Sequence, residues 1–383
     1  MPVKVQGDSQ SQERPRRARP YRGEVVYIYA FDLAYDMKRQ PLERLLGRPT
    51  EGYSIGPSKR SPKRAFFYRP ETVRLEVERR QGPHGTVEIQ RSVKVFSVGA
   101  VSIQIRVPFE VDHIEELVDY HDLTFDTGSL EQEVGDLAEK VRRELEPYCI
   151  RPVARLEEGE AYTAFCLHTL PQTVGGQDAF AEDWLASHRR RVAALLNQEP
   201  DAARLSEQET AESTGQYLSY YESDLVVLDW DAALVVGGLE SLDDVLHIME
   251  LANVQLVELA AYDRILDGSM EASYRDMAGR APRGRWQIQR GLREIRVDLA
   301  RLSDELLNIT KFFGDWHLAR IYQALSNRFH LADWCGTIRE KLKTLGDLYD
   351  VLQQDRFNFW MVVLEVSIVL LFILDVILLL LGL

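Results

Sequence analysis

The residues best suited to chemistry form one acidic, histidine-bearing cluster: Glu110, Asp112, His113, Glu116, Asp119, His121, Asp122 and Asp126. On a helix His113 and Glu116 share a face, and with His121 or Asp122 they offer imidazole and carboxylate ligands to a divalent cation. A solvated acidic face is the commoner meaning of such a run. Asp229 and Asp231 flank Trp230, with His247 downstream, and imitate the carboxylate pair of a metal nuclease; Asp at a strand turn is nonetheless ordinary. The patterns GxxxxGK[ST], GxGxxG, HExxH and GxSxG do not occur, so no phosphate loop, zincin helix or nucleophile elbow is spelled out. Cys149, Cys166 and Cys335 are far apart and form no CxxC pair, which argues against a disulfide framework or zinc knuckle and for a reducing compartment. No catalytic residue and no cofactor follow from these patterns.

The acidic cluster sits in an α+β head. VVYIYAF (25–31), VRLEVE (73–78), VEIQRSVKVF (87–96) and VSIQIRV (101–107) are rich in Val and Ile and partly alternating, with Gly82, Pro83 and Gly85 turning the second into the third. A mostly antiparallel sheet is expected. Helices are expected at 111–120, 130–145 and 179–196, with short strands at 149–154 and 162–167. LVVLDWDAALVV (225–236) reads as two strands about a tight turn at Asp229–Asp231. The polar segment 198–215 is the candidate linker.

From about residue 237 the pattern turns helical. Leu242, Val245, Met249, Ala252, Leu256, Leu259 and Leu266 form one stripe, beside which Asn253 and Gln255 would be buried groups that set helix register. Ile288, Leu292, Ile295, Leu299, Leu302, Leu306, Ile309 and Phe313 then follow 4-3-4-3 spacing, as do Leu331, Cys335, Ile338, Leu342, Leu345, Tyr349 and Leu352. Such series build either a helical bundle core or an intermolecular coiled-coil stalk.

The chain ends in FWMVVLEVSIVLLFILDVILLLLGL (359–383). About 25 helical residues are long enough for the roughly 30 Å hydrocarbon core. Glu365 and Asp375 cost about 5–7 kcal/mol together at mid-membrane, against about 6–11 kcal/mol returned by Leu, Ile, Val and Phe. A single C-terminal transmembrane anchor is therefore expected over 357–383, with Trp360 at the interface and Glu365 and Asp375 facing partner helices. No apolar segment resembling a signal peptide opens the chain, and Lys341, Lys343 and Arg356 precede the apolar run, which places the bulk on the cytoplasmic side.

ANVQLVELAAYDRILD (252–267), HLARIYQALSNRF (317–329) and the terminal segment with acids ten residues apart resemble the family named "required for meiotic nuclear division". The resemblance covers about 217–383. In that family a Leu-Glu pair, here Leu364 and Glu365, opens the last helix and a second acid, here Asp375, follows; Val366 stands where Trp is usual. The resemblance implies a membrane-anchored protein without a described reaction. Its mitochondrial members sit at the inner membrane, facing the matrix, and support organellar translation, so a ribosome or other protein partner is implied, as is oligomer formation.

The charge is -14 over 383 residues, which makes nucleic acid an unfavourable partner unless basic residues gather in one place. They do gather: residues 1–64 hold fourteen Lys/Arg against seven Asp/Glu, leaving -21 for the remainder. Arg14, Arg16, Arg17, Arg19 and Arg22 form a basic arm suited to anionic lipid or RNA, or simply to solvent. Asp8 and Glu13 there are unlike a transit peptide and favour a bacterial chain. The expected molecule has a basic arm (1–23), an α+β head (24–236), a helical bundle or coiled-coil stalk (237–356) packed through Leu292, Leu299, Leu306, Leu342 and Leu345, and the anchor. Its expected role is a membrane-tethered scaffold that touches lipid and assembles with itself. A membrane-anchored metal-dependent hydrolase or nuclease using the acids of the head is the alternative, and a pore lined by Glu365 and Asp375 comes third.

Overall fold

The strand Tyr21–Asp32 is apolar on both faces: Val25, Tyr27 and Phe31 enter one core, and Val26, Ile28 and Ala30 enter another. A strand without a polar side must lie at the centre of a sheet covered twice. The computed structural model describes residues 20–38, 40–52, 70–83, 85–125, 128–170, 180–278, 296–297, 300 and 316–381, and it places this strand between Glu160–Leu167 and Ala100–Val111. The sheet has ten strands. Beyond Ala100–Val111 lie Gly85–Val95, then Glu71–Arg74 and Glu51–Gly52, while Glu78–Gly82 pairs the other end of Gly85–Val95. On the other side Glu160–Leu167 pairs parallel with Ala232–Val236, followed by Leu225–Leu228 and the edge strand Tyr217–Leu218. The remaining pairs are antiparallel, as expected from sequence.

Glycine is required where this sheet turns tightly. Gly99 has φ +88°, and a Cβ there would lie 2.0 Å from the Ala34 carbonyl oxygen. Any other residue would be strained and obstructed at the turn into Ala100–Val111.

Helix α1 (Leu130–Leu145) starts at Ser129, whose hydroxyl accepts from the Gln132 N–H, a normal N-cap. Leu130, Val134, Ala138, Val141 and Leu145 form its buried stripe. With α2 (Ala181–Leu196) and a 3-10 turn at Ile114–Tyr120, it covers the first face of the sheet. A helix over 111–120 was expected; the observed 3-10 helix starts later, at Ile114, because the preceding strand continues to Val111. The candidate linker is partly ordered: α3 (Glu207–Ser213) is capped by Ser206 and buries Thr210 and Ser213.

The second face is covered by α4 (Leu239–Ala278), α5 (Trp316–Arg328) and the first part of α6 (Leu331–Leu381). Leu331, Cys335, Ile338, Leu342 and Leu345 of α6 are buried in this second core, so these five positions of the second heptad series pack within the chain, while the side chains of Tyr349 and Leu352 lie outside the described residues. Leu292, Leu299 and Leu306 of the first series lie outside the described residues. Lys341 ties α6 to α4 through Asp263 and Asp267 at 2.6 and 2.7 Å.

The expected membrane anchor is corrected. Among the described residues no helix is long and apolar enough to cross a membrane, which also removes the single-pass placement with its bulk facing the cytoplasm or the mitochondrial matrix. The run is the end of the helix that begins at Leu331. Glu365 and Asp375 divide it, so that only nine residues, 366–374, lie between them, against about 20 needed to span a bilayer. The acids thus weigh more than the summed transfer energies suggested.

Candidate functional site

Between 361 and 374 eleven large apolar side chains of α6 are exposed, and every residue from Ile368 to Leu374 is among them. Seven consecutive residues make about two turns, so the apolar surface runs all round the helix. Glu365 is exposed on it, as is Trp360 at its start. The Asp375 side chain lies outside the described residues. A helix that is hydrophobic all round is normally buried, and this stretch is the largest departure from that rule in the described chain.

The sequence's catalytic candidates do not converge. Glu110 pairs with Arg22 at 2.8 Å. The His113 N–H donates to Glu116 Oε1 at 3.0 Å, closing the first turn of the 3-10 element. His121 is bonded through Nε2 to the Leu195 carbonyl at 2.6 Å and packs edge-on against Phe165; burial lowers its pKa. Asp126 lies outside the described residues. Among the described residues no three His, Cys, Asp or Glu side chains come together to hold a metal ion.

Asp229 has a structural partner. Its Oδ1 accepts from both Nε and Nη2 of Arg328 and from the Trp230 N–H, while Arg328 Nη1 reaches Glu212 at 2.9 Å. The bridge fastens the end of α5 to the turn before Ala232–Val236. Asp231 is separate from it, and burial, then the nearby Asp229 charge, raises its pKa. His247 lies elsewhere, over Gly85–Val95, four strands across the sheet from Ala232–Val236.

There it joins a buried charged seam that the sequence did not reveal. Lys94 of the sheet and Glu250 of α4 form an ion pair, with His247 Nδ1 3.5 Å from the same Glu250 oxygen. Burial, the largest single influence, would raise the Glu250 pKa, but the charges and hydrogen bonds of Lys94 and His247 together outweigh it and hold the carboxyl at about 2. Burial lowers that of His247. Arg106 spans Glu24 at 3.2 Å and Asp243 at 2.6 Å. Asn253 donates to the carbonyls of Ile28 and Glu160, and Tyr322 donates to Gln255. Asp243, His247, Glu250 and Asn253 recur at helical spacing on the sheet side of α4 and match polar groups on the strands. The seam fixes the register of helix on sheet, the role expected of Asn253 and Gln255. The signal available in sequence was Lys94, alone among apolar neighbours in a strand.

A groove of about 520 Å³ lies on the first face between α1 and the 154–159 loop, floored by Tyr29 and Phe31 and flanked by Glu131, Glu139 and Arg143. Glu139 is held down to about 2 by hydrogen bonds from Arg142 and Arg143, so its charge is already neutralised in place.

The fold defines a class: an α+β domain with one large sheet, carrying a helical extension that covers its second face. The description "Uncharacterized protein MJ0711, N-terminal domain" matches residues 22–240, and the chain belongs to that family. Uncharacterized protein MJ0711 of Methanocaldococcus jannaschii is 23% identical over 222 residues, 57% of this chain and 65% of that protein, so the match spans less than two thirds of the relative's length. No solved structure matches. The relative is archaeal, which corrects the bacterial expectation. The family match ends where α4 begins, so the sheet and α1–α3 are the family's part, and the helices covering the second face lie beyond it.

Proposed function

We propose that this protein is a non-enzymatic interaction protein that assembles with copies of itself through the distal part of α6. The observation that carries this reading is the all-round apolar surface between 361 and 374. A groove would satisfy one side of such a helix, whereas packing several copies side by side removes all sides from water. Glu365 on this surface limits which registers can form, since a carboxylate must stay at a wet or hydrogen-bonded position. The sheet and the charged seam beneath α4 make the rigid base from which the helix projects.

The three cysteines are all buried, so a Leu370→Cys variant carries one exposed thiol. Treatment with a short bismaleimide is expected to link most chains into dimers, while a cysteine at exposed Tyr274 on α4 yields little. Equal yields at the two positions would refute assembly through α6.

A further inference from the structure

The loop before Leu225–Leu228 displays aromatic side chains that no part of the proposed assembly uses. Tyr220 is 61% exposed and Tyr221 67%, their rings 4.7 Å apart and edge to face. Phe180 and Trp316, the latter 78% exposed, stand on adjoining elements, and the His317 ring lies 5.4 Å from Tyr220. The loop is built to hold this display. Asp224 Oδ1 accepts from the N–H groups of Tyr220 and Tyr221 at 2.7 and 3.0 Å, and the Ser219 hydroxyl donates to the Tyr221 carbonyl at 3.0 Å. The Ala181 N–H donates to the Glu222 carbonyl, which joins the loop to the start of α2.

The surroundings are acidic. Glu182, Asp183 and Glu222 are exposed beside the rings, and neither 169–188 nor 205–263 contains a Lys or Arg. Exposed aromatic faces among carboxylates suit a guanidinium, which stacks on a ring while its edge donates to oxygen.

The chain itself supplies guanidinium groups within reach. Gly23 pairs with Leu167, Leu167 with Val236, and Val236 with Leu225, so the first strand starts at the same end of the sheet as the aromatic loop. Three strand spacings separate them, about 14 Å. Tyr21 lies against Trp184, one turn beyond Phe180, with ring centroids 6.3 Å apart. The residues preceding it include Arg14, Arg16, Arg17 and Arg19, with Pro15 and Pro20, and seven residues extend to about 23 Å.

We propose that the surface formed by Phe180, Tyr220, Tyr221 and Trp316 with Glu182, Asp183 and Glu222 is the docking site of the chain's own arginine-rich segment, residues 14–19. The occupant is fixed by reach, by opposite charge and by the affinity of guanidinium for tyrosine and tryptophan faces.

The test is the rate at which trypsin cuts the intact, folded chain after Arg16 and Arg17, since Pro15 and Pro20 block the neighbouring sites. Cutting follows the undocked fraction when docking is fast. The double variant Tyr220→Ala/Tyr221→Ala is expected to be cut about tenfold faster than the unaltered chain, two ring contacts being lost. Glu182→Gln/Asp183→Asn changes only exposed groups and should raise the rate roughly threefold, as should 0.5 M salt. Rates unchanged in both variants would overturn the proposal. Protection that grows with protein concentration would also overturn it, by assigning the site to another copy's segment.

Discussion

Val26, Ile28 and Ala30 of the first strand and Leu370, Leu371 and Ile373 of the last helix are residues of one kind in opposite circumstances. The strand residues are covered by α4, α5 and α6 of the same chain, held in register by Lys94–Glu250, Arg106–Asp243 and Asn253. The helix residues are exposed. Burial of apolar surface is worth about 25 cal/mol per Å² wherever it occurs, so what separates the regions is the availability of a partner among the described residues. Where the chain supplies the cover, polar groups are spent on register. Where it does not, the apolar surface stays exposed, with Glu365 standing within it.

The largest effect that would break this comparison is expected in the seam. Lys94→Met leaves Glu250 as an uncompensated buried charge and should cost about 3–5 kcal/mol in urea unfolding, whereas Lys94→Met with Glu250→Leu should return close to the unaltered stability. A fully destabilised double variant would show that the pair does more than fix register. Next, Leu342→Ala in the covered part of α6 should cost about 2–5 kcal/mol, read from the same unfolding curves.

Asp32, at the end of the first strand, sharpens the account through pH. Burial raises its pKa to about 7, opposed only in part by Arg264, and Glu160 nearby is raised as well, again by burial. The folded chain therefore keeps a proton that the unfolded chain releases near pH 4. Stability contributed by this group is present below about pH 4 and is lost as pH rises to about 7. Asp32→Asn should remove that slope and stabilise the protein at pH 8 by on the order of 2 kcal/mol, measured as melting temperature against pH; a parallel slope in the variant would refute it. The smallest effect belongs to the exposed helix: Leu370→Ala should change unfolding stability at high dilution by less than about 0.5 kcal/mol, while weakening association.

Much of the sheet was legible because alternation and β-branched runs mark strands directly: 85–95, 100–111 and 160–167 lie close to where the sequence put them. Helix α1 runs over the expected 130–145, and the structure adds its Ser129 cap. The helix expected over 111–120 is present as a shorter 3-10 helix, Ile114–Tyr120, a form whose local residue preferences sequence does not separate from those of a short α-helix. The sites were less legible than the fold. Lys94 and Glu250 are 156 residues apart, and only the sheet order brings them together. Asp229 imitated one half of a metal-binding pair in sequence because its partner, Arg328, lies 99 residues away. The terminal helix was misjudged for a different reason: summed transfer energies favour insertion, yet take no account of where two acids divide the run.

The most direct test is sedimentation of the full chain in aqueous buffer beside a variant with Ile368, Leu371 and Phe372 changed to Gln. The account predicts a multimer whose mass falls to about 44 kDa in the variant with its melting temperature unchanged. A monomer in both, over the same micromolar range, would contradict assembly through α6.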